Sequence, residues 1–160
     1  MDTPGPTLWK STNMSHVTSD SEIQAVLESS RVIAVIGAHP TPSRPASYVP
    51  AYLADHGYEI HPVNVTKVGQ VIQGRETVAE LVDIPVPVDM VDVFRRSEDV
   101  PGHLEDILAM KPLPKVVWLQ KGIRNEAVAE RLVEAGISVV QDRCALAEHR
   151  RLGLGAPKGV

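Results

Sequence analysis

Aromatic side chains are scarce in this chain of 160 residues: one Phe, two Trp and three Tyr. A core with so few large rings has to be filled by Val, Ile, Leu and Ala, a composition that suits buried parallel strands covered by helices. Cysteine is nearly absent. The single Cys144 cannot close an internal disulfide or build a multi-cysteine zinc site, which fits a reducing compartment. Long apolar runs are missing too. The longest, Val32 to Ile36, falls far short of the roughly 20 residues that cross a bilayer, and the first residues show no signal-type apolar segment. A cytoplasmic protein with no membrane partner is expected. Nor is there a basic surplus. Sixteen Lys+Arg against twenty Asp+Glu give a formal charge of −4, which argues against phosphate-backbone binding and so against a nucleic-acid partner.

What remains is the composition of an ordinary globular protein, 43% hydrophobic and 22% charged, at a length suited to one domain. Residues 1–18 are polar, punctuated by Pro and Gly and aperiodic, and read as a flexible N-terminal tail in which Trp9 is the one residue that suggests docking. A single domain is expected over 19–152, and 153–160 read as a C-terminal tail. Within the domain, Ser19 with Glu22 forms an S-x-x-E capping box ahead of Ile23, Val26 and Leu27, which predicts a first helix ending near Ser30.

An alternation then sets in. Strand-like runs cover Val32–Gly37, Glu59–Asn64, Val88–Phe94, Lys115–Gln120 and Ile137–Asp142. Between the first two, Val49, Tyr52, Leu53 and His56 keep a helical stripe that stops at Gly57. Leu104, Ile107 and Leu108 mark a further helix, with Pro101 acceptable in its first turn. Val128, Leu132 and Val133 mark another, capped by Asn125 and stopped by Gly136. A short helix is expected over 145–151, and within the less regular stretch 66–87 residues 77–82 read as helical. This pattern predicts an α/β fold: a doubly wound, mainly parallel five-stranded sheet with helices on both faces, in the order 3-2-1-4-5.

In such a sheet ligands bind beyond the carboxyl ends of the strands, where the strand order reverses. The loops that meet there carry Arg44, Arg95, Arg96, Lys121, Arg124 and Arg143, six of the sixteen cationic residues. In an acidic protein this points to an anionic ligand, above all a phosphate ester held with help from helix N-termini. Basic residues also simply solvate loops. The first loop keeps Gly37 but not the rest of G-x-G-x-x-G, and the second strand ends in Val63-Asn64 with no acidic reader for ribose hydroxyls, so ordinary NAD binding is disfavoured. No Walker loop, serine elbow or zinc-binding histidine spacing is present. His39 sits in the presumptive mouth, where contact with phosphate or solvent competes with a role as general base. Asp92 shares a strand face with Met90 and Phe94, and if buried needs hydrogen bonds, with a helix N-terminus the expected partner. Cys144 follows Arg143 at the mouth, where a cation could lower its pKa, although a small buried hydrophobe is the better reading.

One set of segments stands out: Ser43-Arg44-x-x-Ser47 in the first loop, Val63-Asn64 on strand two, Asp92-Val-Phe94-Arg95-Arg96 on strand three, Trp118-Leu-Gln120-x-Gly122-Ile123 on strand four, and Asp142-Arg143-Cys144 on strand five. Together they resemble the small stand-alone CoA-binding proteins related to the N-terminal CoA-binding domain of the succinyl-CoA synthetase α subunit, over about residues 25–152. The resemblance implies a Rossmann-like domain with coenzyme A as cofactor. It also implies that Gly37, Ala38, Pro42, Ser43 and Arg44, with Ser47 and Tyr48 at the helix start, hold phosphates. Val63 and Asn64 would line the nucleotide end. Phe94 and Arg95 would flank adenine or a phosphate, and Gln120 with Gly122 would face the pantetheine arm. The chain departs from the family after Val-Asn, with Val65-Thr66 where Pro is common.

CoA carries a pyrophosphate and a 3′-phosphate and so suits several arginines. The expectation is a CoA or acyl-CoA binding protein, non-catalytic or accessory, with neither a catalytic residue nor a metal, and with room for a protein partner or a homo-oligomer. Two alternatives stay open: an NAD(P)-type redox sensor or oxidoreductase, and an interaction subunit of an acyl-CoA ligase.

Overall fold

The computed structural model describes residues 15–158; Trp9 lies outside them. Helix α1 (Asp20–Ser29) starts at the expected capping box: Ser19 Oγ accepts the N–H of Glu22, and the Glu22 carboxylate accepts the N–H of Ser19. Its apolar stripe, Ile23, Val26 and Leu27, is buried. β1 (Val32–Ile36) follows, buried at every position. Helix α2 (Pro45–Asp55) and β2 (Glu59–Val63) complete the first βαβ unit.

Past β2 comes a two-stranded hairpin, β3 (Val71–Ile72) and β4 (Arg75–Glu76), and a single 3₁₀ turn at Leu81–Asp83. β5 (Met90–Val93) leads through a 3₁₀ segment (Ser97–His103) into α3 (Leu104–Leu108). Then come β6 (Val116–Leu119), α4 (Glu126–Glu134), β7 (Ser138–Val140) and α5 (Ala145–Arg151). Asn125 caps α4 by accepting the N–H of Val128, as expected.

The helix expected over 77–82 is absent, because Thr77 and Val78 use their amides elsewhere. Thr77 exchanges backbone hydrogen bonds with Gly69 and Gln70, and the Val78 N–H donates to the Pro62 carbonyl.

All five principal strands are parallel, in the order β2-β1-β5-β6-β7. The fold class and strand count are those read from the sequence. Along the sheet, however, the third principal strand lies beside the first and not beyond the second. Pro62 accounts for the difference. It has no N–H, and its carbonyl faces away from β1 toward Val78, so the outer side of β2 is an edge that another central strand could not occupy. This is the alternative doubly wound order, with the crevice opening between β1 and the third strand.

One face of the sheet packs Ile33, Val35, Met90 and Trp118 against α1, α2 and α5. The other packs Ala34, Val91, Val93 and Leu119 against α3 and α4. At the far edge, Val17 donates to the carbonyl of Val139, whose N–H donates to Ser15. The segment after α5 returns over the body, where the Lys158 N–H reaches the carbonyl of Glu28. Among the described residues no helix is long and apolar enough to cross a membrane.

Candidate functional site

The crevice begins at Gly37, where the chain leaves β1. Its φ of +85° is open to glycine alone at little cost, and a Cβ there would sit 2.5 Å from the Phe94 carbonyl oxygen. The first loop therefore runs hard against the end of β5. Gly37 also donates to the Val63 carbonyl across β2.

The loop is held from the helix side as well. Pro50 lies inside α2 and cannot donate to Ala46, and the freed Ala46 carbonyl lies 3.4 Å from the His39 N–H, which donates to it. Arg44 is the N-cap of α2 but caps with its backbone only, so its guanidinium stays free to face the crevice. The helix terminus itself offers less than expected. Pro45 has no N–H, and the N–H groups of Ser47 and Tyr48 both turn to the Arg44 carbonyl.

A cavity of about 610 Å³ opens here. Six of the residues that the resemblance assigns to coenzyme A line it: Gly37, Arg44, Tyr48, Phe94, Arg95 and Gln120. Among the described residues four cationic side chains and no carboxylate border it. Arg44, Arg95 and Lys121 make no ion pair among the described residues, whereas Arg96 is taken up by Glu98 and Asp99. Phe94, Tyr48 and Ile123 give it an apolar lining between the charges.

The far wall is held by cross-loop bonds. Gln120 is buried and accepts the Ala145 N–H on Oε1, and Trp118 donates its indole N–H to the carbonyl of Arg143. Gly122 donates to Asp142 Oδ1 at 2.6 Å, and Asn125 donates to Gln141. These bonds bring Lys121 and Cys144, from different loops, to the same end of the cavity.

The other sequence-derived positions lie behind or beside the wall. Ala38 and Val63 are buried in the two cores, and Ser47 is buried with its carbonyl accepting from Gln73. Pro42 and Ser43 are exposed on the loop before α2. Gly122 serves the turn that anchors Asp142. Asn64 is a staple: its Nδ2 donates to the Ala38 carbonyl and its Oδ1 accepts both the N–H and the hydroxyl of Thr66. The departure at Thr66 thus has a structural use. Pro45, Ala46, Arg96, Lys121 and Ile123 also line the cavity. Arg96 and Lys121 carried a signal as mouth cations and Ile123 as part of the strand-four segment, while Pro45 and Ala46 carried none.

His39 lies in the wall with its Nδ1 accepting the Thr41 N–H. Desolvation, and then the charges of Arg44 and Lys67, hold its pKa below the usual histidine range. Asp92 corrects an expectation: it is fully buried, yet neither carboxylate oxygen has a hydrogen-bond partner among the described residues. Burial pushes its pKa well above the carboxylate range. Cys144 is half-buried in the cavity wall and not sealed in the core.

Comparison with known proteins places this architecture. Residues 31–150 match the model of the CoA binding domain family. The chain belongs to that family. The uncharacterized protein YneT of Bacillus subtilis (strain 168) is 39% identical over 131 residues, 82% of this chain and 94% of that protein. Among solved structures, cell-free ID.343 from Thermus thermophilus superposes with a TM-score of 0.80 at 48% identity, over 84% of this chain and 99% of the other. The acetyl-coenzyme A synthetase 1 of Ca. Korarchaeum cryptofilum, in complex with phosphate and ADP, matches at 26% identity and a TM-score of 0.57. That match covers 71% of this chain and 26% of the larger enzyme. As a CoA-binding-domain protein, the chain has its crevice where a nucleotide ligand of this fold class lies.

Proposed function

We propose that the chain binds coenzyme A, free or acylated, in the crevice between β1 and β5, and serves as a binding or accessory module. One observation carries the reading: the unpaired Arg44 and Arg95 guanidinium groups border an acid-free cavity at the switch point of the sheet. A pyrophosphate with a 3′-phosphate fits such a pair, because guanidinium groups hold phosphate oxygens through charge-assisted hydrogen bonds. The apolar stretch beside Phe94, Tyr48 and Ile123 suits an adenine ring and a pantetheine arm. Gln120, with Oε1 already taken by Ala145, keeps its amide N–H groups for the polar atoms of that arm.

Asn64 spends its side chain on Ala38 and Thr66, so nothing at the end of β2 reads ribose hydroxyls in the manner of NAD sites. Among the described residues no carboxylate lines the wall, and His39 Nδ1 is tied to Thr41, which supports a role without its own general base. Isothermal titration calorimetry tests the proposal. CoA is expected to bind with a Kd of micromolar order or tighter, and NADPH to compete poorly. The absence of heat with both CoA and an acyl-CoA overturns it.

A further inference from the structure

A second cavity of about 580 Å³ adjoins the first, and the two share Lys121 and Cys144 as their common wall. The far chamber lies between the loops after β6 and β7. The bonds already described hold it in shape: Gly122 and Asp142 are locked together, and the Trp118 indole fixes the Arg143 carbonyl.

Its charges do not cancel evenly. Arg124 is committed to Glu126 at 2.6 Å. Arg143 is shared between Glu148 and the Thr18 carbonyl, and Glu148 also takes Arg151. Asp142 makes no ion pair among the described residues, and its carboxylate is turned to the Gly122 N–H, which Oδ1 accepts. Lys121 is left as the chamber's cation with no ion pair or hydrogen bond among the described residues, at the point where the two spaces meet.

If the nucleotide phosphates sit at Arg44 and Arg95, the pantetheine arm runs past Gln120 and its sulfur arrives at the Lys121–Cys144 junction. An acyl group on that sulfur then projects into the second chamber. We propose that this chamber receives the acyl group, and that Lys121 selects short acyl thioesters ending in a carboxylate over uncharged ones. The inference rests on the CoA-binding reading and adds the ligand class to it. Long fatty acyl chains do not suit the chamber, whose lining carries Lys121, Arg124, Asp142, Arg143 and Glu148.

The test titrates the full chain with glutaryl-CoA and with its uncharged counterpart valeryl-CoA, and repeats both on Lys121→Met. Lys121 is exposed, so the variant is expected to fold, which thermal unfolding verifies. The wild type is expected to prefer glutaryl-CoA about tenfold, the effect of one charge-assisted contact, and in the variant the ratio falls to about one. A wild-type ratio near one overturns the inference. So does a ratio that persists in Lys121→Met while both affinities drop, since Lys121 would then be a phosphate contact. Either result leaves the CoA reading standing. Failure of both thioesters and of free CoA to bind removes that reading and this inference with it.

Discussion

The indole N–H of Trp118, a side chain with no exposure to solvent, donates to the backbone carbonyl of Arg143 at 2.7 Å. A residue on β6, one strand in from the edge, thereby fixes the loop that carries Cys144 into both cavities. Trp118→Phe keeps an aromatic ring but removes the donor, leaving the carbonyl unpaired at a cost of about 1–3 kcal/mol. Urea denaturation is expected to show a loss of that size. Faster hydrogen exchange over residues 141–145 should accompany it, and unchanged exchange there would mean that the loop is held by other bonds.

Gly37→Ala meets two obstacles. An alanine at φ +85° costs about 1–2 kcal/mol in backbone conformation. Its Cβ would lie 2.5 Å from the Phe94 carbonyl, a contact relieved only by moving β5 or the loop, with an overpacking cost of about 1–3 kcal/mol. A drop in Tm together with loss of CoA binding is the expected outcome. An alanine variant as stable as the parent would show that the loop and β5 can separate freely.

Arg44→Ala and Arg95→Ala are each expected to weaken CoA about tenfold, since a hydrogen bond to a charged group contributes about 1.5–3 kcal/mol. Both losses should shrink at high salt. Arg151, paired with Asp20 and Glu148 at the end of α5, serves as the control, and its alanine variant should bind CoA as the parent does. Calorimetry at two ionic strengths reads both effects.

Asp92 makes stability depend on pH in a defined direction. Burial raises its pKa in the folded chain, so the folded state keeps a proton that the unfolded state releases above the ordinary carboxylate range. Stability therefore falls as pH rises above about 4, until the folded chain releases the proton as well. Asp92→Asn carries no titrating proton. The variant should gain on the parent as pH rises, by about 1.4 kcal/mol for each unit of elevation, and converge toward it near pH 4. Parallel Tm–pH curves for the two proteins would contradict this.

Much of the fold could be read from local chemistry. Ser19 with Glu22 and Asn125 before Val128 announced their helices through capping atoms that the structure uses, and each principal strand lies within its apolar run. Strand order could not be read from apolar runs, because every buried strand looks alike from its own residues. Pro62 held the missing clue, since a strand residue without an N–H belongs beside an edge. The hairpin over 71–76 and the fate of Thr77 depend on partners in β2 and the neighbouring loop, which periodicity does not encode. At the site, Arg44, Arg95 and Gln120 were legible as polar residues just beyond strands. Lys121 and Cys144 were legible as residues of one mouth, but not as the shared wall of two cavities, which arises from side-chain bonds linking two loops distant in sequence.

The two margins of the sheet carry a lesson about self-association. Along β2 the outer side presents Pro62 and is clasped by Val78, while along β7 the backbone of Ser15 to Val17 already lies against Val139. Among the described residues neither border offers an open row of amides to a neighbouring molecule's strand, so the chain itself hinders edge-to-edge joining of sheets into larger ribbons. The same two clasps leave the helices and loops as the surfaces of the main sheet's layer that meet the surroundings.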